Sequence, residues 1–184
     1  RNINFLNNLL RYFADTIGKL TSLNNISKYM KSQGQDVAVK SVSSYLSYFK
    51  DAYLVSTVER YDIHGKKLLE SNEKVYFGDI GLRNYISGGE RVGDIEKVIE
   101  NIVYLQLKLM GYKVSVGQLR AGEVDFVCTK HNERVYVQVA YLIGSKETAE
   151  REFGALQNIQ DNYPKYVISM TPLVKRSDNE GVIH

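Results

Sequence analysis

The stretch Gly122–Tyr141, GEVDFVCTKHNERVYVQVAY, holds the residues of this chain best suited to chemistry. It reads as two strands joined by a turn. Side chains alternate along a strand, so Glu123, Asp125 and Val127 share one face of the first, with Val124, Phe126 and Cys128 on the other. On the second strand Tyr136, Gln138 and Ala140 share a face, and Val135, Val137, Val139 and Tyr141 the opposite one. A carboxylate on one strand therefore lies near two positions of its neighbour. Carboxylate oxygens are hard ligands that hold Mg²⁺, and a bound Mg²⁺ can fix a phosphate and activate water. Asp125 and Glu123 could supply such ligands. Gln138 offers a neutral carbonyl, and Ala140 offers nothing. A plainer reading stays open, with Asp125 hydrogen-bonded to backbone and the Gln138 amide donating to it.

Elements on either side must position this hairpin. Asp94 is a suitable N-cap for a helix running to Gly111. Its buried face is read as Ile95, Val98, Ile99, Ile102, Gln106 and Leu109, its wet stripe as Lys97, Asn101, Tyr104 and Lys108. Glu100 lies at the edge of the wet stripe, its direction undecided. A strand over 112–118 precedes the hairpin. A helix over 146–160 follows it, capped by Ser145, with Glu147 and Glu150 in its first turn and Ala149, Phe153 and Leu156 as its apolar stripe. KYVISM, 165–170, reads as a final buried strand. The order α-β-β-β-α-β describes an α/β domain with a central mixed sheet.

The first half begins with helices. Phe5, Leu6, Leu9, Leu10 and Phe13 form one stripe, and Thr21 or Ser22 can cap a second helix, Leu23–Lys31. A third helix, 38–52, aligns Val39, Val42, Leu46 and Phe49 on one side, leaving Lys40, Ser43, Ser44, Ser47 and Lys50 largely elsewhere. Strands over 53–63 and 71–82 flank a turn holding His64, Gly65, Lys66 and Lys67. Three helices and a β-ribbon make the layout of a winged helix-turn-helix, whose third helix enters a DNA major groove. Lys40, Ser43, Ser44, Ser47 and Lys50 are then the candidate nucleic-acid contacts, and Lys66 and Lys67 touch phosphates from the wing. The third helix lacks Arg, the commonest base reader. The glycine-rich, charged stretch Ser87–Asp94 reads as a connector, giving domains 1–88 and 89–184.

Composition narrows the classes. The chain has 184 residues, 43% of them hydrophobic, enough for a packed core. No run approaches the ~18 apolar residues of a membrane span. One cysteine forbids an internal disulfide, and the three histidines are too scattered for a zinc site. These features fit a cytoplasmic protein. The net charge of +3 is uneven. Residues 1–88 carry 12 Lys and Arg against 8 Asp and Glu, the rest 12 against 13, so any attraction to nucleic acid resides in the first half.

The hairpin, with EVDF followed by QVA, resembles the core of PD-(D/E)xK nucleases, the restriction-endonuclease-like fold. The phrases SVSSYLSYFKDAYLV, KVYFGDIGLRNYI, IENIVYLQLKLMGYKV, GEVDFV, VYVQVAY and NYPKYVISM extend the likeness along most of the chain. Together they resemble the C-terminal region of bacterial and archaeal AAA+ ATPases in which a winged helix precedes a nuclease-like domain of unknown function, DUF4143. The resemblance implies that Asp125 matches the first metal-binding acid, Gln138 the place of the second acid, Ala140 that of the lysine, and Glu100 an accessory helix acid. Gln157 and Tyr163 resemble downstream residues of some RecB-type nucleases. No Walker A motif is present, so an ATP-binding module is expected upstream of Arg1, in a longer protein.

The expected function is an accessory module that binds nucleic acid or a protein partner and carries a degenerate nuclease-like site, with no catalytic residue and no cofactor of its own. Two alternatives stand beside it. One is an active nuclease in which Asp125 and Glu123 hold Mg²⁺. The other is a pure protein-interaction module.

Overall fold

Capping and apolar spacing place most elements of the chain. The computed structural model describes residues 3–89, 92–120, 122–172, 178–179 and 181–184; Glu90 and Arg91 of the expected connector lie outside these. The described residues form a mixed α/β structure with six α-helices and nine strands, paired both parallel and antiparallel. They fall into two compact units, Arg1–Val58 with Ser71–Val92, and Glu59–Glu70 with Gly93–His184. No helix among the described residues is long and apolar enough to cross a membrane.

The first unit contains α1 (Ile3–Asp15), β1 (Leu20–Thr21), α2 (Leu23–Ser32), α3 (Val39–Asp51), the inner parts of β2 (Val55–Asp62) and β3 (Lys67–Phe77), and α4 (Ile80–Ser87). Ser22 caps α2, its hydroxyl accepting from the Asn25 N–H at 3.2 Å. Helix α3 buries Val42, Leu46 and Phe49, which fixes its outward side. The structure corrects the reading of 71–82 as one strand. The strand ends at Phe77, and Asp79 then caps α4, its carboxylate accepting from the Leu82 N–H at 2.5 Å. Arg83 of α4 is fully buried and donates from Nε to the Ala14 carbonyl at 2.8 Å, fastening α4 to the end of α1.

The second unit contains the outer hairpin of β2 and β3, the last two residues of a 3₁₀ turn (Val92–Asp94) leading into α5 (Ile95–Leu109), then β4 (Lys113–Gln118), β5 (Glu123–Lys130), β6 (Glu133–Ala140), α6 (Lys146–Gln157), β7 (Lys165–Ser169), β8 (Asp178–Asn179) and β9 (Val182–Ile183). Strands β4, β5 and β6 run antiparallel in sequence; β7 joins β6 in parallel, and β9 joins β7 in parallel. KYVISM is thus not the last strand. On the other edge, Arg60–Asp62 of β2 pairs in parallel with Val116–Gln118 of β4. Gly117 allows this crowding: a Cβ there would stand 3.0 Å from both Ile63 and Val127. The hairpin read as a free wing is therefore paired, along its outer part, with the second unit's own sheet.

Helices α5 and α6 cover opposite faces of this sheet. Tyr104 of α5 meets Phe126, ring centroids 6.2 Å apart. Phe153 and Leu156 of α6 join the cluster that includes Val127, Tyr136, Val167 and Val182. Phe126 and Val127 are consecutive, so they point to opposite faces.

The buried side of α5 differs from the expected one. Asn101 and Tyr104, read as wet, are buried along with Glu100, Val103 and Leu107, whereas Ile102 and Leu109, read as core, are 50% and 83% exposed. The true stripe is 100, 103, 104, 107, a sound helical spacing passed over because it opens on an acid. Asp94 also makes no side-chain cap bond to α5. Elsewhere Ser145 caps α6 as expected, accepting from the Thr148 N–H at 3.2 Å. Glu147 beside it has its pKa lowered by backbone N–H and the Ser145 hydroxyl. Cys128 is fully buried, and burial pushes its thiol pKa up to about 12, which marks it as packing.

Candidate functional site

A cleft of about 580 Å³ opens at one end of the second unit's sheet. Its lining includes Lys97 and Glu100 from α5, Glu123 and Asp125 from β5, Gln138 from β6, and Arg151 and Glu152 from α6. Two helices on opposite faces of a sheet can share one cleft only where the sheet is open. Here it is: the β5–β6 ladder ends at the Phe126–Val137 pair. Beyond it, Val124 and Glu123 pair only with β4, while Gln138, Val139 and Ala140 pair with β7.

Asp125 and Gln138 are the first residues past that fork, and their side chains bridge it. The Asp125 carboxylate accepts the Val139 N–H at 2.9 Å. The Gln138 side-chain carbonyl accepts the Asp125 N–H at 3.2 Å. Each satisfies a main-chain donor that the missing ladder would have used. The Gln138 amide also donates to Glu152 at 3.0 Å. The plainer reading of Asp125, an acid bonded to backbone, matches this geometry, and Gln138 meets Asp125 through its main-chain N–H.

Two further acids of the cleft stand beside cations. Glu100, 1% exposed, accepts from Lys97 Nζ at 2.7 Å. Glu152, 3% exposed, accepts from Arg151 Nε at 2.7 Å. Hydrogen bonding to Glu152, then its charge, raises the Arg151 pKa further. Among the described residues, no three Asp, Glu, His or Cys side chains are grouped so as to hold a metal ion. Asp125 is bonded to backbone and Glu100 and Glu152 are paired with cations, so these three carboxylates are poor donors for Mg²⁺, which prefers several free hard oxygens in an octahedron.

The structure thus brings Glu100, Glu123, Asp125 and Gln138 together. Ala140 is buried, pairs with Ser169 and does not line the cleft. Gln157 and Tyr163 also lie outside the lining, and Lys40, Ser43, Ser44, Ser47 and Lys50 lie on α3 in the first unit. Lys66 and Lys67 belong to the outer hairpin, grouped with the second unit. Sequence reading missed Lys97, Arg151 and Glu152 as site residues. Glu152 had left a signal: with Ala149, Phe153 and Leu156 it completes the stripe 149, 152, 153, 156, an acid inside a buried face.

The family described as Domain of unknown function (DUF8612) matches residues 1–92. An uncharacterised protein of Haemophilus influenzae is 33% identical over 169 residues, 92% of this chain and 41% of that protein. An uncharacterised protein of Methanocaldococcus jannaschii is 28% identical over 156 residues, 82% of this chain and 33% of that protein. The chain thus spans well under half the length of either relative. No solved structure matches it significantly. The match to DUF8612 overturns the assignment to the DUF4143 region of an AAA+ ATPase; neither relative's description supports ATP or DNA binding.

Two substitutions test the fork. Asp125→Ala leaves the Val139 N–H without its charged acceptor and lowers unfolding free energy by about 2 kcal/mol, read as a lower urea midpoint. Asp125→Asn retains a carbonyl and loses less. Gln138→Glu places a second carboxyl against Glu152, so the introduced group's folded pKa rises. The variant is then as stable as wild type below the unfolded pKa of about 4.3 and less stable as pH rises through the folded value. Thermal melts at pH 4 and pH 7.5 measure it; an equal deficit at both would contradict the assigned contact.

Proposed function

We propose that this chain, which belongs to the family described as Domain of unknown function (DUF8612), is a module that binds nucleic acid through α3 and carries a nuclease-like framework that does not cut. The observation that carries the binding half is the outward side of α3. Because Val42, Leu46 and Phe49 are buried, Lys40, Ser43, Ser47, Tyr48 and Lys50 face solvent. Two ammonium groups, two hydroxyls and an aromatic ring form a surface suited to phosphates and base edges. Ser44 contributes less, its hydroxyl turned to the Lys40 carbonyl at 3.1 Å. The order α1, β1, α2, α3, β2, β3 supports a winged-helix reading of the first unit. Lys66 and Lys67 add little to it, since they group with the second unit.

The non-cutting half rests on the cleft. The pairing of β4 to β7, antiparallel, antiparallel, then parallel, with α5 and α6 on opposite faces, supports a nuclease-like framework. Within it Asp125 is bonded to the Val139 N–H, Glu100 and Glu152 are charge-paired, and Ala140 stands where a lysine would be needed to steady developing negative charge. Mg²⁺ would have to displace Lys97 or Arg151 to gain the carboxylate of Glu100 or Glu152.

Fluorescence anisotropy with labelled duplex and single-stranded DNA tests the binding half. Binding is expected at low salt, weakening as salt rises. Lys40→Ala/Lys50→Ala should reduce affinity across sequences and lower the salt slope by about 1–2. No binding at low salt, or binding the double variant leaves unchanged, refutes the assignment. Incubation of DNA with the protein and Mg²⁺ or Mn²⁺ should leave it intact. Cleavage that Asp125→Ala abolishes would show that the cleft is a working nuclease.

A further inference from the structure

We propose that a second cavity, beside the turn between β2 and β3, is a binding site for a phosphate monoester. The cavity, about 360 Å³, is lined by His64, Lys66, Arg134, Gln160, Asp161 and Tyr163 among others, and shares no lining residue with the Asp125 cleft. Its volume falls at the small end of ligand pockets.

Arg134 is the centre of the site. Its guanidinium carbon stands 5.1 Å from the Tyr61 ring centroid and 5.3 Å from that of Tyr163. Rings at that distance attract a guanidinium cation, and the Tyr136 and Tyr61 side chains also hydrogen-bond it. The Nε is buried and has no hydrogen-bond partner among the described residues. A buried donor without an acceptor is costly.

The charge balance also favours an anion. Asp161 is the acid in the lining, and its oxygens are engaged: Oδ2 accepts the Tyr136 hydroxyl at 2.5 Å, and Oδ1 accepts the Tyr163 N–H at 3.2 Å and lies 3.5 Å from Lys165 Nζ. Asp62, at the base of the turn, accepts the His64 and Gly65 N–H groups at 3.1 and 2.9 Å. Neither Lys66 nor Arg134 has an acidic partner among the described residues. Two cations and an imidazole therefore face a cavity whose one carboxylate is neutralised by Lys165.

A fork, an ammonium and an imidazole line the cavity together. A tetrahedral group with three terminal oxygens can meet all three, which a planar carboxylate cannot. Tyr163, 42% exposed, adds an apolar surface beside them for the organic part of a monoester.

Isothermal titration and thermal-shift measurements on the whole chain test this, using inorganic phosphate, adenosine monophosphate and adenosine. Both phosphates should bind saturably and raise the melting temperature, and adenosine should do neither. Tighter binding of the nucleotide than of inorganic phosphate supports a monoester site, and equal binding overturns it in favour of a site for the inorganic anion. Lys66→Asn is the informative variant, because residue 66 adopts φ 53°, which Asn tolerates. It should weaken both phosphates about tenfold, the worth of one charge-assisted hydrogen bond, without changing the unliganded melt. Arg134→Lys keeps the charge but not the fork, and should weaken them as well. Lys40→Ala/Lys50→Ala should bind as wild type does, which separates this site from the α3 surface. Failure of both phosphates to bind saturably, or unchanged binding by Lys66→Asn and Arg134→Lys, would overturn the proposal.

Discussion

The second unit depends on the point where β5 and β6 stop pairing. Past Phe126 and Val137 the ladder ends, and two main-chain N–H groups, of Asp125 and Val139, would lose their acceptors. The Gln138 carbonyl and the Asp125 carboxylate take their places. This exchange of main-chain for side-chain acceptors holds the fork open without orphaned donors. An open fork in turn lets α5 and α6, on opposite faces, line one cleft. It also explains how an acid can be 7% exposed in a strand: its charge is met by a backbone dipole.

The charges of the cleft follow from the same geometry. Glu100 and Glu152 lose nearly all contact with water, and each is balanced by a cation of its own helix that keeps more exposure, the side chains of Lys97 and Arg151 being 34% and 69% exposed. Such pairs add little net stability, yet breaking one strands a buried charge. They also decide what the cleft can hold. A divalent cation that uses Glu100 or Glu152 must outcompete the cation already paired with it, and a phosphate must approach several carboxylates.

Much of this was legible in the sequence where the signal is local. Ser22 and Ser145 cap the helices their positions indicate, and period-two alternation places Asp125 and Gln138 at one site. Where burial runs against polarity, the sequence misleads. On α5 the more apolar stripe, with Ile102 and Leu109, is the exposed one, and the buried stripe runs through Glu100 and Asn101. Glu152 was passed over for the same reason, an acid in an apolar stripe being read as an interruption rather than a member. Helix α4 was missed because its eight residues follow a strand with only Asp79 to announce it.

The hairpin of β2 and β3 shows a different limit. A β-ribbon after three helices reads as a wing because that pattern is complete within its own residues. What the pattern omits is the partner of the ribbon's outer edge. That partner is β4, joined in parallel between Arg60–Asp62 and Val116–Gln118, with Gly117 small enough to admit Ile63. A pairing between segments so far apart leaves no periodicity to read. Its consequence falls on charge: the turn carrying His64 and Lys66 is fixed beside Arg134 and Tyr163 rather than left free to follow a nucleic-acid backbone. The same lysine, judged by residue type alone, fits either role. The strand pairing places it in the lining of the cavity.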